Sequence, residues 1–230
     1  MTSSRTGIAL GPYLRPTQFM NNDSPEVAGF ARSIVGTATS DIDKAVKLFY
    51  AVRDLIRYSP YVIVFEPERF KASWVLREKV GFCIQKAILL AAAARAVDIP
   101  SRLGFADVRN HLATQRLIDL MKTDEFIYHG YTELYLNGQW VKATPTFNLT
   151  LCERFEVRPL DFDGKNNAIF HPFDLTGHKH MEYIRDHGHF ADLPFEQMVR
   201  AFVEGYPHLF GQDGPGWPVN GDFEGEAAAS

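Results

Sequence analysis

Lys79-Val80-Gly81-Phe82-Cys83-Ile84-Gln85-Lys86-Ala87, running on into Ile88-Leu89-Leu90-Ala91-Ala92-Ala93-Ala94-Arg95-Ala96, is the stretch that organises the chain. A glycine is followed by a cysteine and then by an unbroken run of helix formers. Ala, Leu, Lys and Gln lose little side-chain freedom in a helix, so the run predicts a helix over 83–97. Apolar residues cover most of its faces, which marks it as the central buried helix. It stops at Asp98-Ile99-Pro100, because proline disfavours helical backbone in the residue before it. The reading places a thiol in the first turn. A helix start carries about half a positive charge and free N–H groups. Both favour a thiolate and are expected to hold the Cys83 pKa below ~8.5.

The totals narrow the classes. At 230 residues the chain suits one domain, expected over 1–210, with a tail rich in Gly, Pro, Ala and Ser over 211–230 expected to be flexible. The net charge of −4, without a large basic block, argues against nucleic acid as the partner. Cys83 and Cys152 form no framework of paired spacings, so reduced thiols and a cytoplasmic location are expected. Residues 1–14 have no long apolar core behind a basic start and make a poor signal peptide. The longest apolar run, 87–97, is broken by Arg95 and falls short of the ~20 residues of a membrane span.

Around the central helix, apolar residues at 42, 45, 46, 49, 52, 55 and 56 follow a 3.6-residue period and predict a helix over 41–57, capped by Ser40. A short helix is expected from Pro25 behind Ser24, a strand over 101–108, an amphipathic helix over 111–122 and another helix over 195–204. The clearest β signal is 126–136, Asn137-Gly138, 139–147: Asn-Gly between alternating runs predicts a type I′ hairpin. A two-residue turn sets Leu136 opposite Gln139, and so Glu133 opposite Lys142 and His129 opposite Thr146. One face then carries His129, Tyr131, Glu133 and Tyr135, with Trp140, Lys142, Thr144 and Thr146 opposite. The Glu133–Lys142 pair is expected to pin the register. Thr144 is the diagonal neighbour of His129. An imidazole with a hydrogen-bonding residue on the next strand is a plausible base with its orienting group.

The order of these elements resembles the transglutaminase-like superfamily, a papain-like group. Its Gly-x-Cys, with a small residue four positions on, matches Gly81-Phe82-Cys83 and Ala87. Its Gly-Ile-Pro and arginine-bearing strand match Asp98-Ile99-Pro100-Ser101-Arg102-Leu103. Its His-Ala-Trp-x-Glu strand matches His129-Gly130-Tyr131-Thr132-Glu133, and its Trp-Val-x-x-Asp-Pro-Thr strand matches Trp140-Val141-Lys142-Ala143-Thr144-Pro145-Thr146. The motif-bearing core spans 41–148, with 149–210 as an extension. The resemblance implies an α+β papain-like fold, a helical part carrying Cys83 packed on an antiparallel sheet carrying His129. It implies Cys83 as nucleophile and His129 as general base of a protease, amidase or transamidase that works through a thioester on a peptide, protein or small amide. That chemistry requires no metal and no cofactor. The family's third catalytic residue, an aspartate, falls on Thr144. A hydroxyl can hold the ring but supplies no negative charge, and Asn148, Asp107 and Asp161 are alternatives from elsewhere in the chain.

Two other classes compete. The missing acid fits a binding module whose groove outlived its catalysis. His171, His178, His180, His187 and His189, near Asp174, Glu182 and Asp186, offer donors for a metallohydrolase, although their spacings match no closed zinc pattern. Cys152 has no such context and reads as a buried structural thiol.

Overall fold

The computed structural model describes residues 9–111, 113–170, 180–210 and 221–227. Helix α1 (Pro25–Val35) and helix α2 (Asp41–Leu55) open the body, each with a serine side chain, Ser24 or Ser40, accepting a main-chain N–H of the first turn. Strand β1 (Arg57–Tyr58), helix α3 (Ala72–Glu78) and strand β2 (Val80–Gly81) lead into helix α4 (Cys83–Arg95). The two short strands pair in parallel, Tyr58 with Gly81, and so tether the entrance of α4 to the end of α2.

Every residue of α4 from Ile84 to Arg95 is buried. The helix packs on α1, α2 and α3 on one side and on the main sheet on the other. Lys86 is a charged residue in the middle of this core. Its Nζ donates to the carbonyls of Arg53 (2.9 Å) and Ile56 (2.6 Å), satisfying acceptors at the C-terminal end of α2 that would otherwise be buried and unpaired. Burial pulls the Lys86 pKa down to about 7.

The main sheet is antiparallel with the order β5-β4-β3-β6: β3 (Ser101–Asn110), β4 (Glu125–Leu136), β5 (Gln139–Ala143) and β6 (Met181–Phe190). Helix α5 (Gln115–Met121) joins β3 to β4. The hairpin has the expected register, Leu136 opposite Gln139 and Glu133 opposite Lys142. Asn137 and Gly138 both have positive φ, 48° and 85°, as a type I′ turn requires. The expected charge pair across it does not form. Glu133 binds Arg102 of β3 and His189 of β6, while Lys142 turns to the Tyr131 hydroxyl at 3.1 Å. Glu133 is nearly fully buried, so the nearby guanidinium on a central strand wins over a lysine on the edge strand.

Ladder pairing on β5 ends at Ala143, short of the expected 147, because Thr144 donates its N–H to Ala168 instead. Strand β6 was not expected from the sequence. It is an edge strand rich in charge, joined to β3 through two register shifts. Helix α6 (Leu149–Arg154), helix α7 (Phe195–Gly205), helix α8 (Pro207–Phe210) and helix α9 (Phe223–Ala227) complete the described chain. The α9 segment lies within the stretch expected to be flexible. Its Phe223 packs against Tyr58, Tyr61 and Phe155, and Glu226 binds the Tyr61 hydroxyl and Arg116. Among the described residues no helix is long and apolar enough to cross a membrane.

Candidate active site

Cys83 is the first residue of α4, and Phe82 is its N-cap. Gln85 fixes the entry. Its Oε1 accepts the Phe82 N–H at 3.2 Å and its Nε2 donates to the Arg69 carbonyl at 2.8 Å. The helix start is pressed onto β4 at Gly130. A Cβ built there would stand 2.9 Å from Ile84 Cα, main-chain atoms that have no room to yield. This close approach accounts for a glycine where the family motif carries alanine. Farther along, Thr132 Oγ1 donates to the Ala87 carbonyl at 2.8 Å and locks the same two elements together.

The packing brings Cys83 and His129 to one cavity. The ring of His129 lies 5.2 Å from that of Phe170. Its Nε2 is buried and has no hydrogen-bond partner among the described residues. Burial pulls the His129 pKa down to about 4. Burial also pushes the Cys83 thiol up to about 11, against the main-chain N–H groups of Gly130 and Ile84, which act to lower it. This differs from the thiolate-favouring position expected at a helix start. The desolvation of a charged sulfur outweighs the helix's partial charge and the N–H contacts together. At neutral pH both groups are therefore uncharged.

Thr144 lines a separate small cavity with Cys152, Leu160 and His180. Its Oγ1 is buried and has no hydrogen-bond partner among the described residues. Thr146 is the residue that reaches the cavity of Cys83 and His129, and its Oγ1 is likewise buried and partnerless among the described residues. The hairpin register already placed Thr146 opposite His129, so the signal was present in the sequence. The three alternatives for the acid are engaged elsewhere. Asn148 Oδ1 accepts the Tyr58 N–H at 3.0 Å, Asp161 accepts the Tyr50 hydroxyl at 3.2 Å, and Asp107 pairs with His187 at 2.6 Å and accepts the Tyr128 N–H at 3.0 Å.

The histidines of the metal reading are dispersed. His180 packs its ring against Phe147 and Phe170, His187 binds Asp107, and His189 binds Glu133. Among the described residues no three His, Cys, Asp or Glu side chains come together as a metal site. His171, His178 and Asp174 lie outside the described residues. Cys152 is buried on α6, and burial pushes its thiol up to about 11 as well.

The family model of the transglutaminase-like superfamily matches residues 28–145, half of the chain, and the chain belongs to that superfamily. The match includes the Gly-x-Cys stretch, the His129 strand and Thr144. Among solved structures, a candidate cysteine protease from Cytophaga hutchinsonii is similar, with 17% identity, a TM-score of 0.46 and coverage of 78% of this chain and 53% of its own. A candidate protease from Parabacteroides distasonis is similar with 18% identity, a TM-score of 0.38 and coverage of 54% of this chain and 24% of its own. This chain thus spans about half of the first structure and a quarter of the second. No curated protein matches.

Proposed function

We propose that the protein is a thiol-dependent acyl-transfer enzyme in which Cys83 is the nucleophile and His129 the general base, acting on an amide carbonyl of a peptide, protein or small molecule. One observation carries the reading: the first residue of the central helix and the histidine of the family's strand line a single cavity. Because both groups rest uncharged, the thiolate forms only as the substrate arrives. Cys83 Sγ bonds to the carbonyl carbon while its proton passes to a ring nitrogen of His129. The carbonyl π pair moves onto oxygen, where free N–H groups at the start of α4 offset its charge. The pair returns, the C–N bond breaks, and His129 gives its proton to the departing amine. The thioester is then resolved by water, which His129 deprotonates, giving a carboxylic acid and the restored thiol. A second amine in place of water gives a new amide. Hydrolysis is the preferred outcome for a compact member of this family. Both cysteines are unpaired, which suits a reducing compartment such as the cytoplasm.

A panel of amide and ester substrates, assayed against wild type, Cys83→Ala and His129→Ala, tests this. Wild type is expected to accumulate an acyl group on the Cys83 peptide, read by mass spectrometry. Losing the base is expected to cost on the order of 10²–10⁴ in rate. Full activity in Cys83→Ala overturns the reading. A second reading, a binding module with impaired catalysis, is favoured by the His129 Nε2 that has no acidic partner. It predicts ligand binding by wild type and Cys83→Ala alike, with no acyl-enzyme in either.

A further inference from the structure

We propose that the cavity beside Cys83 selects the acyl side of the substrate, and that it takes a neutral, branched aliphatic group of three or four carbons. The inference rests on the function proposed above. The cavity follows β4. His129 lines it, and so do Ile127 and Phe126, three residues along the strand; Val108 lies opposite Phe126 on β3. At ~3.4 Å per residue the space thus extends about 10 Å from the catalytic histidine. Leu117 and Met121 of α5, Phe202 of α7 and Phe223 of α9 also line it.

Three properties define the occupant. No Asp, Glu, Lys or Arg among the described residues lines the cavity, so a charged group would be buried there without a partner. Of the polar groups on the wall away from the Cys83–His129 end, the Tyr206 hydroxyl is already bonded to Ile127 N and Glu125 O and Asn110 has interactions of its own, which leaves the Tyr58 hydroxyl as a single neutral group. A carboxamide tail would therefore lose its water bonds for little return. The volume is about 70 Å³. A dry apolar cavity of about 150 Å³ holds benzene, so roughly half that volume admits an isobutyl group and excludes an aromatic ring. The buried, unpaired His129 Nε2 and Thr146 Oγ1 line the same cavity as the thiol, so the polar end of a substrate is placed there.

The test uses the full chain and p-nitrophenyl esters of acetic, isovaleric, phenylacetic and succinic acids, with acylation of Cys83 followed by nitrophenolate release and peptide mass. Isovalerate is expected to react at least about tenfold faster than acetate, with phenylacetate and the anionic hemisuccinate slower than isovalerate. Equal rates for acetate and isovalerate, or a preference for the aromatic or anionic ester, overturn the proposal. A second readout needs no turnover: isovaleramide is expected to slow iodoacetamide labelling of Cys83, whereas acetamide and phenylacetamide at the same concentration do not. Selective protection without acylation sustains the cavity and sinks the nucleophile. Acylation without chain-length preference or selective protection sinks the cavity alone. Met121→Ala, or Leu117→Ala if the first does not fold, is expected to move the preference towards phenylacetate; an unchanged order of esters overturns the assignment of that wall.

Discussion

At the scale of single residues, burial holds two cavity-lining groups, Cys83 and His129, neutral. His129 has a pKa of about 4 in the folded protein, below the ordinary value of about 6.5. The acid limb of the rate profile is therefore expected near pH 4; a limb near 6.5 in kcat/KM would contradict it. The same shift is a statement about stability. The folded state holds His129 neutral, so its contribution is complete above about pH 6.5 and is lost as pH falls towards 4, where the unfolded chain binds the extra proton. Urea midpoints measured from pH 7 down to 4 should fall more in wild type than in His129→Phe. Gly130 is the second residue with a sharp prediction. Gly130→Ala sets a methyl against the main chain of Ile84, and a cost of about 1–3 kcal/mol is expected from denaturant titration. The motif that identified Gly130 gave no hint of this. The need for glycine arises from Ile84 of the other element, 46 residues away in sequence, and no local pattern records that distance.

Among the elements, α4 and the β4–β5 hairpin were legible because their signals are local. An apolar run bounded by proline makes one, and Asn-Gly between alternating residues makes the other. β6 was not legible, because its polar, bulged course follows from where β3 lies rather than from its own residues. Opposite Asp107, β4 carries one extra residue, a bulge over Ile127 and Tyr128. Tyr128 adopts φ 55°, a conformation that costs a non-glycine residue about 1–3 kcal/mol, immediately before His129. The Asp107 carboxylate accepts the Tyr128 N–H, and His187 both binds Asp107 and stacks on the Tyr128 ring at 4.3 Å. Asp107→Ala is expected to lose about 1–3 kcal/mol of stability and to lower kcat with little change in KM, because the base is displaced while the cavity persists. The same loss of stability with kcat unchanged would assign the pair a purely structural part. On α4, Lys86→Met leaves two carbonyls of α2 unpaired and is expected to cost about 1–3 kcal/mol.

For the whole molecule, Lys86 also sets a pH dependence opposite in range to that of His129. Its folded pKa of about 7 lies below the ordinary ~10.4, so the unfolded chain binds more protons between those values. Its contribution is complete above about pH 10.4 and is lost as pH falls to 7; the Lys86→Met variant should lack this alkaline gain in thermal unfolding. The cavity itself was beyond sequence reading, because strands, loops and helices from residue 58 to residue 223 each supply part of its wall. Cys83, His129 and the family were visible as motifs, but the shape these residues face is a property of the assembled fold. Part of that wall comes from α9, whose Phe223 and Glu226 close over Tyr58 and Tyr61. Chains are made from the N-terminal end and their parts fold as they emerge. Cys83 and His129 are synthesised long before residue 223, so a growing chain carries them without that wall. The cavity is thus completed only as the last described helix is added, and under the proposed function the moment of that addition is the moment at which the thiol acquires a place to work.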